Sequence, residues 1–313
     1  MIAFVLRRLL QGIPVLFLAS VAVFLILRLV PGDPAVSLAG PDATPDQVTQ
    51  IRQQLGLDDS LPVQYARWVG QLARGNLGSS IRGIEVSRLL KDSMPSTIEL
   101  AIAAYLFAIA VGIPLGVMAG ANPRSGWDWA LSLFTLMSIG IPSFLTGILL
   151  LWVFGVELGW FPTSGRISLF SNPAASIEHL ILPAYALGGN LAAVLGRYTR
   201  TSVAEIMGQD FIRTAKSKGL AQHAVIIRHA LRNALVPVIT ITALQIGAVL
   251  AGAVVIEQVF TRPGMGRLIV EAIQNRDYVV VQSTLIVLVV IFVVVNLSAD
   301  LAYGFLDPRI RRR

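Results

Sequence analysis

Residues 100–121 read LAIAAYLFAIAVGIPLGVMAGA, twenty-two positions without a charge, held between Glu99 and Arg124. A bilayer core is about 30 Å thick and an α-helix rises about 1.5 Å per residue, so about 20 apolar residues cross it. The stretch meets that length and has no polar face to offer water. Five more runs follow the same pattern, at 9–27, 130–156, 180–196, 233–256 and 279–299. The run 180–196 is the shortest. It contains Asn190 and the pair Gly188 and Gly189, and it continues into polar sequence. The reading is an all-α integral membrane protein with six transmembrane helices.

Composition agrees. Hydrophobic residues make up 55% of the chain and charged residues 14%, with a mean hydropathy of +0.70. Soluble domains carry about 25% charge, so this chain has too little polar surface to cover a water-soluble body of its length. It has no cysteine, which excludes a disulfide scaffold, thiol catalysis and cysteine metal sites. The net charge of +7 reads as a topological signal rather than a nucleic-acid surface. Arg7 and Arg8 precede an apolar run longer than a signal peptide, with no small-x-small cleavage site after Val30, so the first run is expected to stay as a span.

Lysine and arginine in short loops set orientation. With the N-terminus inside, the inner segments hold 14 basic residues and the short outer loops hold only Arg166, Arg262, Arg267 and Arg276. Both termini are therefore expected in the cytoplasm, and residues 31–95 outside. That outer segment carries its own helix signals. Thr44 and Gln47 form a capping box with Pro45 at the first helical position. Val48, Ile51 and Leu55 share a face, and Gly56 can close the helix. A second helix is expected over 62–74, with Val63, Ala66, Val69 and Ala73 in register and Gly75 at its end. A third is expected over 85–94. The organisation is an N-terminal end and first helix (1–30), a helical extracytoplasmic insertion (31–95), a membrane domain with helices two to six (94–304) and a basic cytoplasmic tail (305–313).

Chemistry is sparse. No phosphate-binding loop is present, so the chain is not expected to hydrolyse ATP. His223 and His229 lie six residues apart, on different helix faces, and with His179 they give no metal site. No catalytic constellation is found. Polar residues within the spans are Asn190, Gln245, Asn296 and Asp300. Asn190 and Gln245 either line a path across the membrane or tie helices together. No mid-bilayer ionisable relay is visible, which argues against an ion-coupled secondary carrier. Pro14, Pro114, Pro142, Pro183 and Pro237 read as packing kinks or as hinges.

Residues 197–232 carry seven basic side chains against Glu205 and Asp210, a net +5. Gly208 can end one helix, Asp210 can cap the next, and Gly219 can end that in turn. Phe211, Thr214, Ala215 and Lys218 are expected on one side of this short helix. A further helix begins near Gln222 and leads into the fifth span. The punctuation predicts an ordered docking element on the inner face.

The stretch 210–240, DFIRTAKSKGLAQHAVIIRHALRNALVPVIT, resembles the cytoplasmic coupling segment of ABC importer permeases of the dipeptide, oligopeptide and nickel branch. Pro31-Gly32-Asp33-Pro34, Gly56-Leu57-Asp58, the stretch EQVFTRPGMGRLIVEAIQNRDY at 257–278 and the closing Asp307-Pro308-Arg309 agree with it. The resemblance covers essentially the whole chain and points to the first, B-type permease of the pair. RQQLGLD at 52–58 and Val156-Glu157-Leu158-Gly159-Trp160 lean towards the glutathione-type members. Against the general importer pattern E-A-A-x3-G-x9-I-x-L-P, only Ala215, Gly219 and Leu231 match, so contacts known from sugar importers do not carry over.

The resemblance implies a type I ABC importer permease fold. It implies a pore shared with a second, homologous permease and two ATPase subunits that bind ATP and Mg. It also implies an extracytoplasmic substrate-binding protein and a place in the bacterial inner membrane, with no cofactor on this chain. The coupling residues would be Asp210, Phe211, Arg213, Thr214, Ala215, Lys218 and Gly219. Asn190, Gln245 and Glu257 are the candidate pore-lining residues. Di- or oligopeptides, including glutathione, are the implied cargo, with nickel or another small solute as the alternative.

Overall fold

The computed structural model describes residues 2–29, 34–39, 43–54 and 56–306 of the 313-residue chain. Of the segments quoted above, Pro31, Gly32, Asp33, Leu55 and the tail from Asp307 lie outside the described residues. The chain runs through α1 (Ile2–Leu29), α2 (Pro34–Ala39), α3 (Pro45–Gln54), α4 (Leu61–Ala73), α5 (Val86–Ala121) and α6 (Gly126–Gly140). Then come α7 (Ser143–Leu150), which continues as a π-helical turn over Leu151–Glu157, α8 (Pro173–Met207) and α9 (Asp210–Ser217). A short α10 (Gln222–Ala224) passes through a second π-helical turn, Val225–Leu231, into α11 (Arg232–Leu244). The chain finishes with α12 (Ile246–Val259), α13 (Met265–Gln274) and α14 (Tyr278–Leu306). Among the described residues no strand forms; one isolated bridge joins Ser79 and Glu85.

Among the described residues three helices, Val86–Ala121, Pro173–Met207 and Tyr278–Ser298, are long and apolar enough to cross a membrane. A bent pair, Gly126–Gly140 with Ser143–Glu157, makes a fourth if counted as one. Leu10–Ile26 within α1 and Ile246–Val259 are shorter apolar helical stretches. Two expectations need correction. Residues 85–94 are not a separate surface helix, because α5 is continuous through Pro95. The run 130–156 is not one straight helix, because α6 and α7 meet at 105°.

The chain divides into two compact units. The first holds Met1–Pro95 and Pro263–Leu297. Its capping box forms as the sequence specifies: the Thr44 amide donates to Gln47 Oε1 (2.9 Å), and the Gln47 amide donates to Thr44 Oγ1 (3.4 Å). Gly56 and Gly75 close α3 and α4 with φ of 61° and 76°, the left-handed geometry that glycine adopts without a Cβ penalty. The packing face of α4 differs from expectation. Val63 and Ala66 are exposed, whereas Gln64 is buried and Tyr65 and Trp68 meet Phe24 of α1. The Tyr65 hydroxyl shares a 2.7 Å hydrogen bond with Ser20. Aromatic bulk, not apolar period alone, chose the face. Elsewhere Val86, Leu90, Met265, Ala272, Val280 and Val281 form a core. Asp277 pins the preceding turn to it, accepting from Ser80 Oγ (2.7 Å) and the Ile81 amide (3.0 Å) and capping α14 at the Val280 amide (3.2 Å).

The second unit, Ser96–Arg262 with Ser298–Arg313, is organised around α8. From Leu182 to Val203 every α8 position is buried or half-buried except Asn190, Arg197, Tyr198 and Thr201. Such envelopment requires close neighbours. α5 supplies one with Ala104, Ala108, Gly112, Gly116 and Gly120, a small residue on every fourth position. A Cβ added at Gly116 would stand 2.5 Å from the Gly196 carbonyl oxygen, and one at Gly120 would stand 2.5 Å from that of Arg200. From the other side, one at Gly188 would stand 2.5 Å from the Ala104 carbonyl oxygen. The two backbones touch along a groove that no larger residue fits. In a bilayer, where apolar helices gain nothing by leaving lipid, such contact is the main source of association.

Replacement of Gly116 by leucine is expected to prevent recovery of a monodisperse protein in detergent, because carbonyls rather than flexible side chains are in the way. Gly70, in α4 with nothing within 4 Å, is the control. Its change to alanine is expected to raise stability by about 0.5–1 kcal/mol through helix propensity. Size-exclusion profiles and thermal melts of the two variants check both outcomes.

Candidate functional site

Two helix breaks and the polar residues of α8 create the first candidate site. Pro142 lacks an amide hydrogen and forces its predecessor out of helical geometry. Ile141 accordingly adopts φ −104°, ψ 124°, and α6 ends there. Between α11 and α12 the break is gentler. The Gln245 amide is shared between the Ile241 carbonyl (3.2 Å) and the Thr242 carbonyl (3.3 Å), while Pro237 stays inside α11. A cavity of about 270 Å³ opens at these breaks, lined by Ile141, Pro142 and Ser143, by Asn190 of α8, and by Gln245 and Gly252. The carboxamides of Asn190 and Gln245, 55 positions apart in sequence, thus line one space. Among the described lining residues none is charged.

Glu257 is placed elsewhere. It is fully buried and accepts a 2.5 Å hydrogen bond from Thr97 of α5, just before the apolar run. Around it lies an ion network that the sequence reading did not anticipate. Arg166 grips Glu99 bidentately, Nε to Oε2 at 2.8 Å and Nη2 to Oε1 at 2.6 Å. Arg262, only 1% exposed, brings Nη2 to 3.7 Å from Glu99 Oε2 and donates through Nη1 to the His179 carbonyl (3.3 Å). Burial lowers the affinity of Arg262 for its proton, the neighbouring Arg166 charge adds to that, and Glu99 and Glu257 oppose it. The Glu99 bond raises that of Arg166. Two guanidiniums and two carboxylates balance, which is what lets charge sit in such an interior. Among the described residues no group of three His, Cys, Asp or Glu side chains could hold a metal ion.

The second candidate is α9. Gln209 takes the N-cap position, so Asp210 is the first helical residue rather than the cap. Its carboxylate still lies in the first turn, where the helix dipole favours a negative charge. The helix ends at Ser217, Lys218 caps it, and Gly219 turns the chain with φ 77°. The faces are not as expected. Ile212 and Ala215 are buried, whereas Phe211, Arg213, Thr214 and Lys218 are exposed, so Ala215 does not share a face with the other three. Ile212 and Ala215 pack with Val225 and Ala230 of the π-helical turn and with Ile206 and Met207 at the end of α8. Phe211 is left 46% exposed, an uncovered aromatic beside basic side chains. The missed anchor, Ile212, was visible as the only β-branched aliphatic residue of the short helix. Spacing favoured the 211–215–218 register instead.

The ion network yields a direct expectation. Glu99→Gln leaves Arg262 buried with less than its balancing charge, which costs about 3 kcal/mol or more. A melt in detergent should fall by several degrees, and added salt should not rescue it.

Comparison with known proteins covers the whole chain. Residues 112–312 match the family described as binding-protein-dependent transport system inner membrane component, and residues 1–101 match its N-terminal companion. The chain is 39% identical to the oligopeptide transport system permease protein AppB of Bacillus subtilis, over 99% of both chains. It is 40% identical to the glutathione transport system permease protein GsiC of Escherichia coli, again over 99% of both. It is 39% identical to the dipeptide transport system permease protein DppB of Alkalihalophilus pseudofirmus, over 99% of this chain and 100% of the relative.

Proposed function

We propose a role in peptide import, because this chain belongs to the family of binding-protein-dependent transport system inner membrane components. It is the membrane-embedded permease of an ABC importer, and ATP hydrolysis belongs to separate subunits. The relatives named for oligopeptides, dipeptides and glutathione support a peptide cargo over nickel or an ion-coupled mechanism. In our reading the pore is completed by a second, homologous permease, and six spans place both termini in the cytoplasm. Residues 31–95 then form a helical outer insertion that faces the substrate-binding protein.

The observation that carries the coupling mechanism is the anchoring of α9. Ile212 and Ala215 fasten its inner face to the π-helical turn Val225–Leu231, which continues without a break into α11. α11 leads to Gln245, where the cavity opens. A push on Phe211 from an ATPase subunit would therefore travel along one continuous helical piece to the break at Gln245. Discrete rocking of packed helices is how such pushes switch access. The π-helical turn and the Gln245 break are the points at which the lever could flex. Asn190 and Gln245 line the path in this reading. Glu257, with Glu99, Arg166 and Arg262, holds the bundle at the outer ends of the helices.

The two faces of α9 separate docking from folding. Phe211→Ala is expected to reduce co-purification of the ATPase and peptide-stimulated ATP hydrolysis by about tenfold, the loss of an aromatic anchor, with the chain's own melting point unchanged. Ile212→Ala should lower stability by about 2–5 kcal/mol. Deletion of residues 211–218 should abolish ATPase capture; capture at wild-type level would refute the docking role.

A further inference from the structure

The exposed positions of α8 share a property. Within the enveloped stretch from Leu182 to Val203 they are Asn190, Arg197, Tyr198 and Thr201, all polar. Positions 190, 194, 197 and 201 fall on one helix face by their spacing of four, three and four. Asn190 lies inside the apolar run and must meet water, a partner or a ligand, and Arg197, Tyr198 and Thr201 continue its face past the run, at the cytoplasmic end of α8. Two cavities follow one another along it. The first is the uncharged one at Asn190 and Gln245. The second, of about 360 Å³, is lined by Val194, Arg197, Tyr198 and Thr201. Both volumes are of the order used for small-molecule recognition.

Arg197 differs from Arg200, Arg166 and Arg262 of this unit. Arg200, three residues on, is held by Asp128 through a bidentate bridge of 2.5 and 2.9 Å. Arg166 and Arg262 share Glu99. Arg197 makes no hydrogen bond or ion pair among the described residues, yet it lines a cavity together with two hydroxyl side chains, Tyr198 and Thr201. A guanidinium with hydroxyl donors beside it is a carboxylate receptor. Asn190 and Gln245 offer what a peptide bond needs, a donor and an acceptor on each carboxamide. Seven helical residues separate Asn190 from Arg197, about 10 Å along the axis, the length of about three extended residues.

We propose that this face of α8 is a binding track for a short peptide, with the C-terminal carboxylate on Arg197, Tyr198 and Thr201 and the main-chain amides on Asn190 and Gln245. The proposal rests on the peptide-import reading and deepens it. It makes main chain and carboxylate, not side chains, the recognised features, and so it makes passage tolerant of peptide sequence.

The absence of cysteine from the chain makes the test clean. Thr201→Cys is introduced into the complete transporter in inside-out vesicles, and its reaction with a water-soluble thiol reagent is timed. Trialanine is expected to slow the reaction, while trialanine amide needs a concentration about tenfold higher for equal protection. Arg197→Gln in the same background should remove that difference, and Arg197→Lys should keep part of it. Equal protection by the two peptides, or an unchanged difference with Arg197→Gln, overturns the track. So does a Thr201→Cys thiol that never reacts in the assembled transporter, because the second permease then covers the face. ATP-driven uptake of trialanine by the unsubstituted transporter is measured in parallel. Uptake without protection discards only this site, whereas no uptake discards the peptide-import reading itself.

Discussion

The second unit depends on the contact between the backbones of α5 and α8. Gly112, Gly116 and Gly120 on one helix meet Ala192, Gly196 and Arg200 on the other so closely that no Cβ fits between them. Lipid gives apolar helices little reason to associate, so the gain has to come from surface matched at atomic distance. Once α5 is seated, α6, α7, α11 and α12 surround the rest of α8. Most of the helix that carries Asn190 and Arg197 is thereby immobilised, and only its polar strip is left open.

Against that fixed helix two of the neighbouring helical runs are interrupted. Pro142 stops α6 and turns the chain through a right angle and a little more. Gln245 divides α11 from α12. Both breaks line the cavity at Asn190. The tightly packed helix and the broken ones are complementary: one provides a fixed polar strip, the others provide places where the wall can change. The ion network of Glu99, Arg166, Arg262 and Glu257 ties α5 to the segments that follow α7 and to the end of α12.

The peptide-import reading and the track on α8 ask different things of the chain. Import asks for a lever that couples α9 to the cavity, and in our proposal the continuous piece from the π-helical turn to Gln245 serves as one. The track asks for an unpaired cation beside hydroxyls and carboxamides on an open face. Among the described residues Arg197 meets that requirement, because its neighbour Arg200, and not Arg197 itself, pairs with Asp128.

Much was legible in the sequence. Runs without charge gave membrane helices, because the cost of burying charge in lipid adds up along the chain and needs no partner to be read. The capping box at Thr44 and Gln47 and the glycine at 219 were legible for the same reason, since their hydrogen bonds and φ angles are local. What failed was any property that belongs to two segments at once. Apolar period put Val63 and Ala66 of α4 inward, but Tyr65 and Trp68 found Phe24 and turned the helix. The same reasoning put Phe211 beside Ala215, but the cradle made by Val225 and Ala230 accepts Ile212 instead. The fourfold stripe of small residues in α5 was present in the sequence and had no meaning until Gly188 and Gly196 stood opposite. Asn190 and Gln245 could be named as polar residues in apolar runs, yet only packing decided that they face one cavity. Hydropathy and capping are determined by the chain's own neighbours, whereas which side chain stays open, and to what, is set by surfaces that meet only when the helices close.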